Sequence, residues 1–448
     1  MTKIQPQAAR VAILTLGCAK NLLDSEHIGS LLADAGVEVV TDPSRAPVAI
    51  INTCGFIDPA KEESIETILD VAELKGGGTL QRLIVTGCLS QRYGQELRES
   101  MSEVDVLLGI DPPGAARAAL WALGKGDVLP THCDRRALRL TPKSWSYMRI
   151  SEGCDNRCAY CAIPLIRGSL RSRPMGELIE EAHGLLESGA REINVIAQDT
   201  TAYGRDQGAP QLHELLKGLC WLEGEKWIRL LYTHPAHYYP ELIEVLAAEE
   251  PICPYLDIPL QHISDHVLDR MGRKVSRADV EALIEQLRSD IPELTLRTTF
   301  IVGFPGETDE DFDELLAFVR QMRFDRLGAF AYSREEETPA AALEGEVPQD
   351  VREARLHELM RVQQEIAFEL AAQRVGEVTS VLIETGGSEE EHCAVGRSPA
   401  EAPDVDPVII VEDGRGLEPG DIVEVEITGS VEYDCLARVA EKLGDDEA

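Results

Sequence analysis

The chain has 448 residues, 44% hydrophobic and 27% charged, which is enough for two or three soluble domains and contains no 18-residue apolar run that would span a membrane. Its 43 Lys and Arg against 79 Asp and Glu leave a formal charge of -36. That argues against broad affinity for RNA or DNA and permits a basic partner, the other reading being the global acidity of a salt-tolerant organism. Eleven cysteines with no small-domain framework suit a reducing compartment and metal or redox work. The start, MTKIQPQAAR, lacks the apolar core of a secretory signal, so the expected location is the cytoplasm.

The first 110 residues repeat a theme. VAILTLGC ends at Cys18, VAIINTCG carries Cys54 and RLIVTGC ends at Cys88. Each cysteine closes a β-run and precedes a loop or helix, and parallel strands would bring the three ends to one edge. A single cysteine after an apolar strand is usually a small buried side chain. Three at three strand ends suggest a shared metal site with one iron left free.

Residues 152–164 read EGCDNRCAYCAIP, so Cys154, Cys158 and Cys161 form C-x3-C-x2-C. The preceding SWSYMRI predicts a strand, which puts the cysteines in a loop at its C-terminal end. A zinc finger wants four ligands in two close pairs, and the next candidate, His183, falls in a helical stretch. Three thiolates in one loop can hold an iron–sulfur cube and leave one iron open to a small molecule. A zinc site that borrows a distant ligand is the alternative.

Strand and helix then alternate from about 145 to 335, giving roughly six β/α units and a parallel sheet curved into a partial barrel. Met175–Gly189 reads as one of the helices, with Gly189 at its C-cap. Polar groups fall where strands end: Gln198 and Asp199 after INVIA, Gln261 and His262 after YLDIPL. In IVGFPGET, Gly303 and Gly306 form a tight turn whose N–H groups could meet an adenine edge or a carboxylate. Thr308 is a helix cap, with Asp311 short for a full capping box. Arg297 lies inside a strand and needs a partner if it faces the barrel. Gln198, Arg297 and the turn of Gly303 and Gly306 are the cofactor-side candidates.

After about 338 comes a long amphipathic helical stretch. From 377 on, VTSVLIET, PVIIVED, DIVEVEITG and CLARVAE suggest a small five-stranded barrel like an oligonucleotide-binding fold. Residues 377–448 hold 20 Asp or Glu against Arg397, Arg415, Arg438 and Lys442, which is 4 minus 20, or -16, and Tyr433 is their only aromatic residue. Without a basic track or stacking platforms this is a poor grip on RNA and a reasonable dock for a basic protein. Cys133, Cys220, Cys253, Cys393 and Cys435 share no spacing and read as structural.

The C-x3-C-x2-C loop, with Tyr160 between its last two cysteines, resembles the radical S-adenosylmethionine (SAM) enzymes. The resemblance implies an open iron that chelates the amino and carboxylate groups of SAM, whose reductive cleavage gives a hydrogen-abstracting 5′-deoxyadenosyl radical. Three dispersed cysteines ahead of such a barrel resemble the methylthiotransferases, in which a second cluster delivers sulfur. Cys18, Cys54 and Cys88 match its ligands, and Asn21 and Asn52 match the flanking GCAKNLLDSE and NTCGFI. The tail resembles the TRAM domain of the same enzymes.

The implied architecture is α/β. It has an open parallel α/β domain (1–135), a radical SAM partial (βα)6 TIM-like barrel with trailing helices (136–375) and a small antiparallel TRAM barrel (376–448). The implied cofactors are two [4Fe-4S] clusters and SAM. Cys154, Cys158 and Cys161 would hold the radical-generating cluster, with Tyr160, Gln198, Arg297, Gly303 and Gly306 on the cofactor side. One branch of the family modifies adenosine in transfer RNA. Another modifies the β-carbon of an aspartate in the small, very basic ribosomal protein number twelve of the small subunit. SEGCDNRCAYCAIPLIRG, YLDIPLQH (with Asp257 and His262) and RTTFIVGFPGETDEDF resemble the second branch, which the acidic chain suits; the transfer RNA branch is the alternative. Arg167, with Arg171 or Arg173, would then meet the substrate carboxylate, unless they form a solvated turn. The remaining expectations are an electron donor such as flavodoxin or ferredoxin and a monomeric state.

Overall fold

The computed structural model describes residues 9–126, 129, 138–387 and 392–440; Cys133 lies outside them. It forms two compact units. The first comprises Met1–Leu140, Gly153–Asp155 and Cys161–Ser169, and the second comprises Thr141–Glu152, Asn156–Tyr160 and Leu170–Ala448. Among the described residues no helix is long and apolar enough to cross a membrane.

In the first unit five parallel strands, β1 (Arg10–Thr15), β2 (Glu38–Val40), β3 (Val48–Thr53), β4 (Arg82–Gly87) and β5 (Val106–Leu107), lie in the order β2-β1-β3-β4-β5. The three central strands read as unbroken apolar runs because both their faces are covered. Val11, Ile13, Val48 and Ile50 pack under α1 (Ala19–Asp34) and α5 (Pro112–Ala122). Ala12, Ala49, Ile51, Leu83 and Val85 pack under α2 (Asp58–Glu73), α3 (Cys88–Arg92) and α4 (Gly94–Ser100). The short α6 (Ile163–Ile166) belongs to this unit and packs Ala162 and Ile166 against Cys88.

The second unit holds a six-stranded, all-parallel sheet that does not close. Its strands are β6 (Trp145–Arg149), β9 (Glu192–Ile196), β10 (Trp227–Leu230), β11 (Ile252–Asp257), β12 (Thr295–Val302) and β13 (Arg326–Ala331), joined in that order. A two-residue ladder, β7 (Ser151–Glu152) against β8 (Arg171–Ser172), ties the two ends of the cysteine loop together. Here the strands alternate. Met148, Ile193, Val195, Ile228, Leu230, Ile252, Leu256, Leu296, Phe300 and Val302 join the core under the helices. Tyr147, Glu192, Arg229, Tyr255, Asp257 and Arg297 take the intervening positions, so the opposite face is polar.

The helices over this sheet are α7 (Met175–Glu187), α8 (Leu212–Cys220), α9 (Pro240–Ala248), α10 (Asp265–Met271), α11 (Arg277–Asp290), α12 (Asp309–Met322) and α13 (Gln349–Gln373). At α12 the capping box is complete rather than partial. Thr308 N donates to Asp311 Oδ2 (2.9 Å), and Asp311 N donates to Thr308 Oγ1 (3.2 Å). The short Asp side chain reaches because the extended Thr308 backbone brings its N–H back over the first turn.

Strands β14 (Val378–Thr385), β15 (Ala394–Arg397), β16 (Ile409–Val411), β17 (Ile422–Val431) and β18 (Asp434–Val439) close into the expected five-stranded barrel, which is not antiparallel throughout because β16 and β18 pair parallel. The short β15, AVGR, was not legible in the sequence. The segment after β15 reaches the polar face of the six-stranded sheet. Glu192 accepts from both Arg229 and Arg397 at 2.6 Å, with all three side chains at most 1% exposed. Glu401 pairs with Arg374 (2.6 Å) and Arg326 (3.1 Å). Tyr147 donates to Asp404 (3.0 Å) and Tyr255 to Asp406 (2.6 Å). Removing one member of such a buried set leaves an uncompensated charge, at a cost of about 3–5 kcal/mol. Glu401 and Asp406 are therefore internal cement, whereas Asp404 stays exposed, and the acidity available for docking is smaller than the composition suggests by those two buried groups.

Candidate active site

The sheet of the first unit brings Cys18, Cys54 and Cys88 together at its C-terminal edge. Cys18 is the N-cap of α1, Cys54 follows β3 directly, and Cys88 opens α3 directly after β4. Two glycines permit the approach. Gly17 has φ +89°, and a Cβ there would lie 2.8 Å from Cys54 Cβ; Gly87 has φ +107°, and a Cβ there would meet Thr53 O at 2.5 Å. Side chains lock the three loops. Asn21 Nδ2 donates to Leu16 O (2.9 Å) and Thr53 O (3.0 Å), and Asn52 Nδ2 donates to Asn21 O (2.8 Å) and Ser25 Oγ (3.0 Å). Ser64 Oγ receives Cys54 N at 3.1 Å and returns a bond to Cys54 O.

The donor set suits a cluster better than one ion. Two Zn–S bonds of about 2.3 Å in a tetrahedral site put their sulfurs about 3.8 Å apart. Among the described residues, the only three ligand atoms within 4.8 Å of one another come from Asp199, His234 and His237, not from Cys18, Cys54 and Cys88. Burial pushes the Cys88 thiol up to about 12, against the pull of the Arg167 guanidinium, and burial raises Cys54 as well. Metal binding must therefore draw those protons off.

Arg167 is not available to a substrate carboxylate, contrary to the sequence expectation. Its side chain is 2% exposed and paired to Asp24 Oδ2 at 3.0 Å. The same Nη2 donates to Asn21 Oδ1 (2.8 Å) and faces Cys88 Sγ at 3.6 Å. Arg173 is also engaged, donating to Glu181 (2.6 Å) and to Arg149 O (2.8 Å). Arg171, on β8, is exposed.

In the second unit Cys158 is buried. Arg273 places Nη1 3.7 Å from Cys158 Sγ and 3.5 Å from Tyr160 Oη, and its Nη2 donates to Pro259 O. Gln198, just past β9, donates to Glu152 (2.9 Å), while its Oε1 is buried without a hydrogen-bond partner. That orphaned acceptor fits a donor on a bound ligand. Two other cofactor-side expectations are corrected. Gly303 N and Phe304 N already donate to Glu307 Oε2 (2.7 and 3.1 Å), and Gly306 N donates to Gly345 O (2.7 Å), so the turn satisfies itself. Arg297, third in β12, is held by Asp406 at 3.0 Å and by Asp257 at 3.6 Å, far from the strand's C-terminal end.

The comparisons with known proteins follow this layout. Residues 10–109 match the uncharacterized protein family UPF0004, 148–319 the radical SAM superfamily and 375–440 the TRAM domain. A Pelotomaculum thermopropionicum protein named ribosomal protein uS12 methylthiotransferase RimO is 45% identical over 434 residues, covering 95% of this chain and 98% of the relative. A Myxococcus xanthus protein of the same name is 45% identical over 96% of this chain and 91% of its own. The chain belongs to the RimO family of radical SAM methylthiotransferases. A structure of the Kitasatospora setae radical SAM methyltransferase TsrM, with tryptophan and a SAM analogue bound, covers 85% of this chain and 79% of its own at 14% identity and a TM-score of 0.53, a likeness of fold alone.

Membership of the RimO family carries with it SAM and a [4Fe-4S] cluster, the cofactors of radical SAM proteins. Asp199, noted above only as a polar residue closing a strand, is the centre of a network whose histidines the sequence did not single out. Asp199 accepts from Asn156 of the cysteine loop (2.7 Å), is bonded to His237 (2.7 Å) and accepts from Thr201 (2.6 Å). Burial would push Asp199 up, but His237 holds it at about 2. His234 Nδ1 accepts from Ala236 N, so its buried Nε2 carries the proton, and burial with the nearby Arg273 charge pushes its pKa down to about 2. Asp199 and His237 are occupied with each other, whereas the buried Nε2 of His234 has no hydrogen-bond partner. The signal was present as THPAH, two residues after β10, with two histidines three apart near a strand end.

Proposed function

We propose that this chain replaces a hydrogen on the β-carbon of an aspartate of ribosomal protein uS12 with a methylthio group, using SAM. The observation that carries the reading is 45% identity to uS12 methylthiotransferases over 95% of the chain, with both sets of three cysteines in place. The loop set, Cys154, Cys158 and Cys161, would hold the radical-generating [4Fe-4S] cluster, and Cys18, Cys54 and Cys88 a second one. When bound, these groups supply the reductive cleavage of SAM and the sulfur.

The chain's own residues supply position. The glycines and asparagines of the first unit fix three thiols at one edge. Arg273 holds Tyr160 and faces Cys158, and the free acceptor of Gln198 would take a donor from SAM. Arg171 is the exposed arginine left to meet a carboxylate of the substrate. A β C–H of aspartate is not acidic enough for a side-chain base, so the radical route avoids a proton problem, and it requires radical, carbon and sulfur to be brought into contact away from water.

The test is anaerobic reconstitution, an iron and sulfide count, and mass spectrometry of purified uS12 and of transfer RNA after incubation with SAM and a reductant. About eight irons per chain and a uS12 peptide carrying one methylthio group in place of hydrogen are expected. Modified adenosine with untouched uS12 would overturn the substrate assignment. About four irons would remove the second cluster, and with it methylthio transfer by this route.

A further inference from the structure

Arg167 lies six residues beyond the last cysteine of the C-x3-C-x2-C loop, yet its guanidinium is spent on the other set of cysteines. Its Nη2 carries two hydrogens and faces three acceptors, Asn21 Oδ1 at 2.8 Å, Asp24 Oδ2 at 3.0 Å and Cys88 Sγ at 3.6 Å. One hydrogen is therefore shared, and the sulfur takes the weaker part. The arginine side chain is 2% exposed and the aspartate 5%, so water does little to screen either charge. Ala162 and Ile166 on the same strap pack against Cys88, fixing the strap to it.

The neighbours of Cys88 Sγ suit a metal-bound sulfur, with Asn21 Oδ1 at 3.4 Å and Arg167 Nη2 at 3.6 Å. As a thiol, Cys88 donates to Asn21 Oδ1 at 3.4 Å. As a thiolate it can no longer do so, but Asn21 Oδ1 keeps its bond from Arg167, so no buried acceptor is orphaned. The sulfur keeps an N–H facing it and gains a fixed positive charge beside it. Hydrogen bonds to the sulfurs and local charge set the reduction potential of an iron–sulfur cluster, because the reduced form carries one more negative charge.

We propose that Arg167 is a positioning residue for the cluster held by Cys18, Cys54 and Cys88, which raises that cluster's reduction potential through its N–H on Cys88 sulfur, with Asp24 as the counter-charge that limits the effect. The inference rests on the two-cluster reading above. It takes Arg167 out of substrate binding and makes it a control on the electronic state of the sulfur-delivering site.

The experiment uses the full chain with Cys154→Ala, Cys158→Ala and Cys161→Ala, so that only the second cluster remains, and follows its reduction by spectroscopic potentiometry. In that background Arg167→Gln is expected to lower the reduced-to-oxidised ratio at fixed potential about tenfold, equivalent to about 59 mV for a one-electron couple. Arg167→Lys, which keeps the charge, should fall less. Asp24→Asn, which removes the counter-charge, should move the potential up. Where Arg167→Gln fails to retain iron, the sign of the Asp24→Asn shift decides, and a potential that stays or falls overturns the proposal. About four irons with an unmoved potential in Arg167→Gln overturns the role of Arg167 alone. No iron in the background chain overturns the two-cluster reading, and this proposal with it.

Discussion

The two sets of three cysteines follow C-terminal ends of parallel strands, but they are made in different ways. Cys154, Cys158 and Cys161 lie within eight residues of one loop, so their approach costs little chain entropy and needs little from the rest of the fold. Cys18, Cys54 and Cys88 span 71 positions. They meet only because β1, β3 and β4 are adjacent and in register, and because Asn21 and Asn52 tie the loops together. The sheets differ in the same sense. The first is apolar on both faces and presents chemistry only at its edge. The second is apolar on one face and polar on the other, where buried arginines and carboxylates bind the C-terminal barrel. A site closed by local chain survives small changes elsewhere, whereas one assembled by a sheet depends on every contact that holds the strand ends.

The largest expected effect separates the two sets directly. Cys18→Ala, Cys54→Ala and Cys88→Ala together should lower iron from about eight to about four per chain, keep SAM cleavage to 5′-deoxyadenosine and abolish methylthio product. The matching loop variant should also keep about four irons but lose SAM cleavage. An equal loss of cleavage in both would erase the distinction.

Next in size is a glycine contrast. Gly87→Val drives a side chain into the Thr53 backbone at a positive φ and should cost the first unit about 3 kcal/mol or more, with loss of the second cluster's iron. Gly168→Ala, at φ +76° with open space around it, should cost only about 1–2 kcal/mol. Denaturant melts of the two variants compare the costs.

Asn52→Ala removes two buried bonds and should cost about 1–3 kcal/mol. If the loops of the first unit are held as described, the second cluster's iron should fall while the loop cluster's iron stays. Unchanged iron would mean that the strand ends meet without Asn52.

The last contrast, small near neutral pH, is a pH slope confined to the second unit. Burial pushes His234 down to about 2 and His262 to about 3. The unfolded chain therefore binds more protons than the folded one below the ordinary histidine value of 6.5. The stability these histidines contribute is full above that pH and is lost as pH falls toward 3, at up to about 1.4 kcal/mol per pH unit for each. His262→Gln should flatten the acid limb of a stability–pH curve by about one proton's worth, and an unchanged slope would show that His262 does not titrate on unfolding.

The elements that sequence reading located share one property, a local pattern. C-x3-C-x2-C, the strands running into Cys18, Cys54 and Cys88, and the strand–helix alternation after 145 depend on neighbours a few residues apart. The corrections share the opposite one. Arg297 was open to a cofactor role because nothing near it in sequence neutralises it, and its partner Asp406 is 109 residues away. Arg167 finds Asp24 143 residues back. The turn of Gly303 and Gly306 advertised free N–H groups; Gly345 O, 39 residues on, takes that of Gly306, while the nearby Glu307 takes those of Gly303 and Phe304.

The sequence by itself determined the cysteine inventory, the order of strands and helices and the family, because spacing and hydrophobic period are written in the chain. Tertiary structure alone decided which charged side chains remain for chemistry. A buried arginine must find an acceptor, and the acceptor that reaches it first in space is invisible in the order of residues.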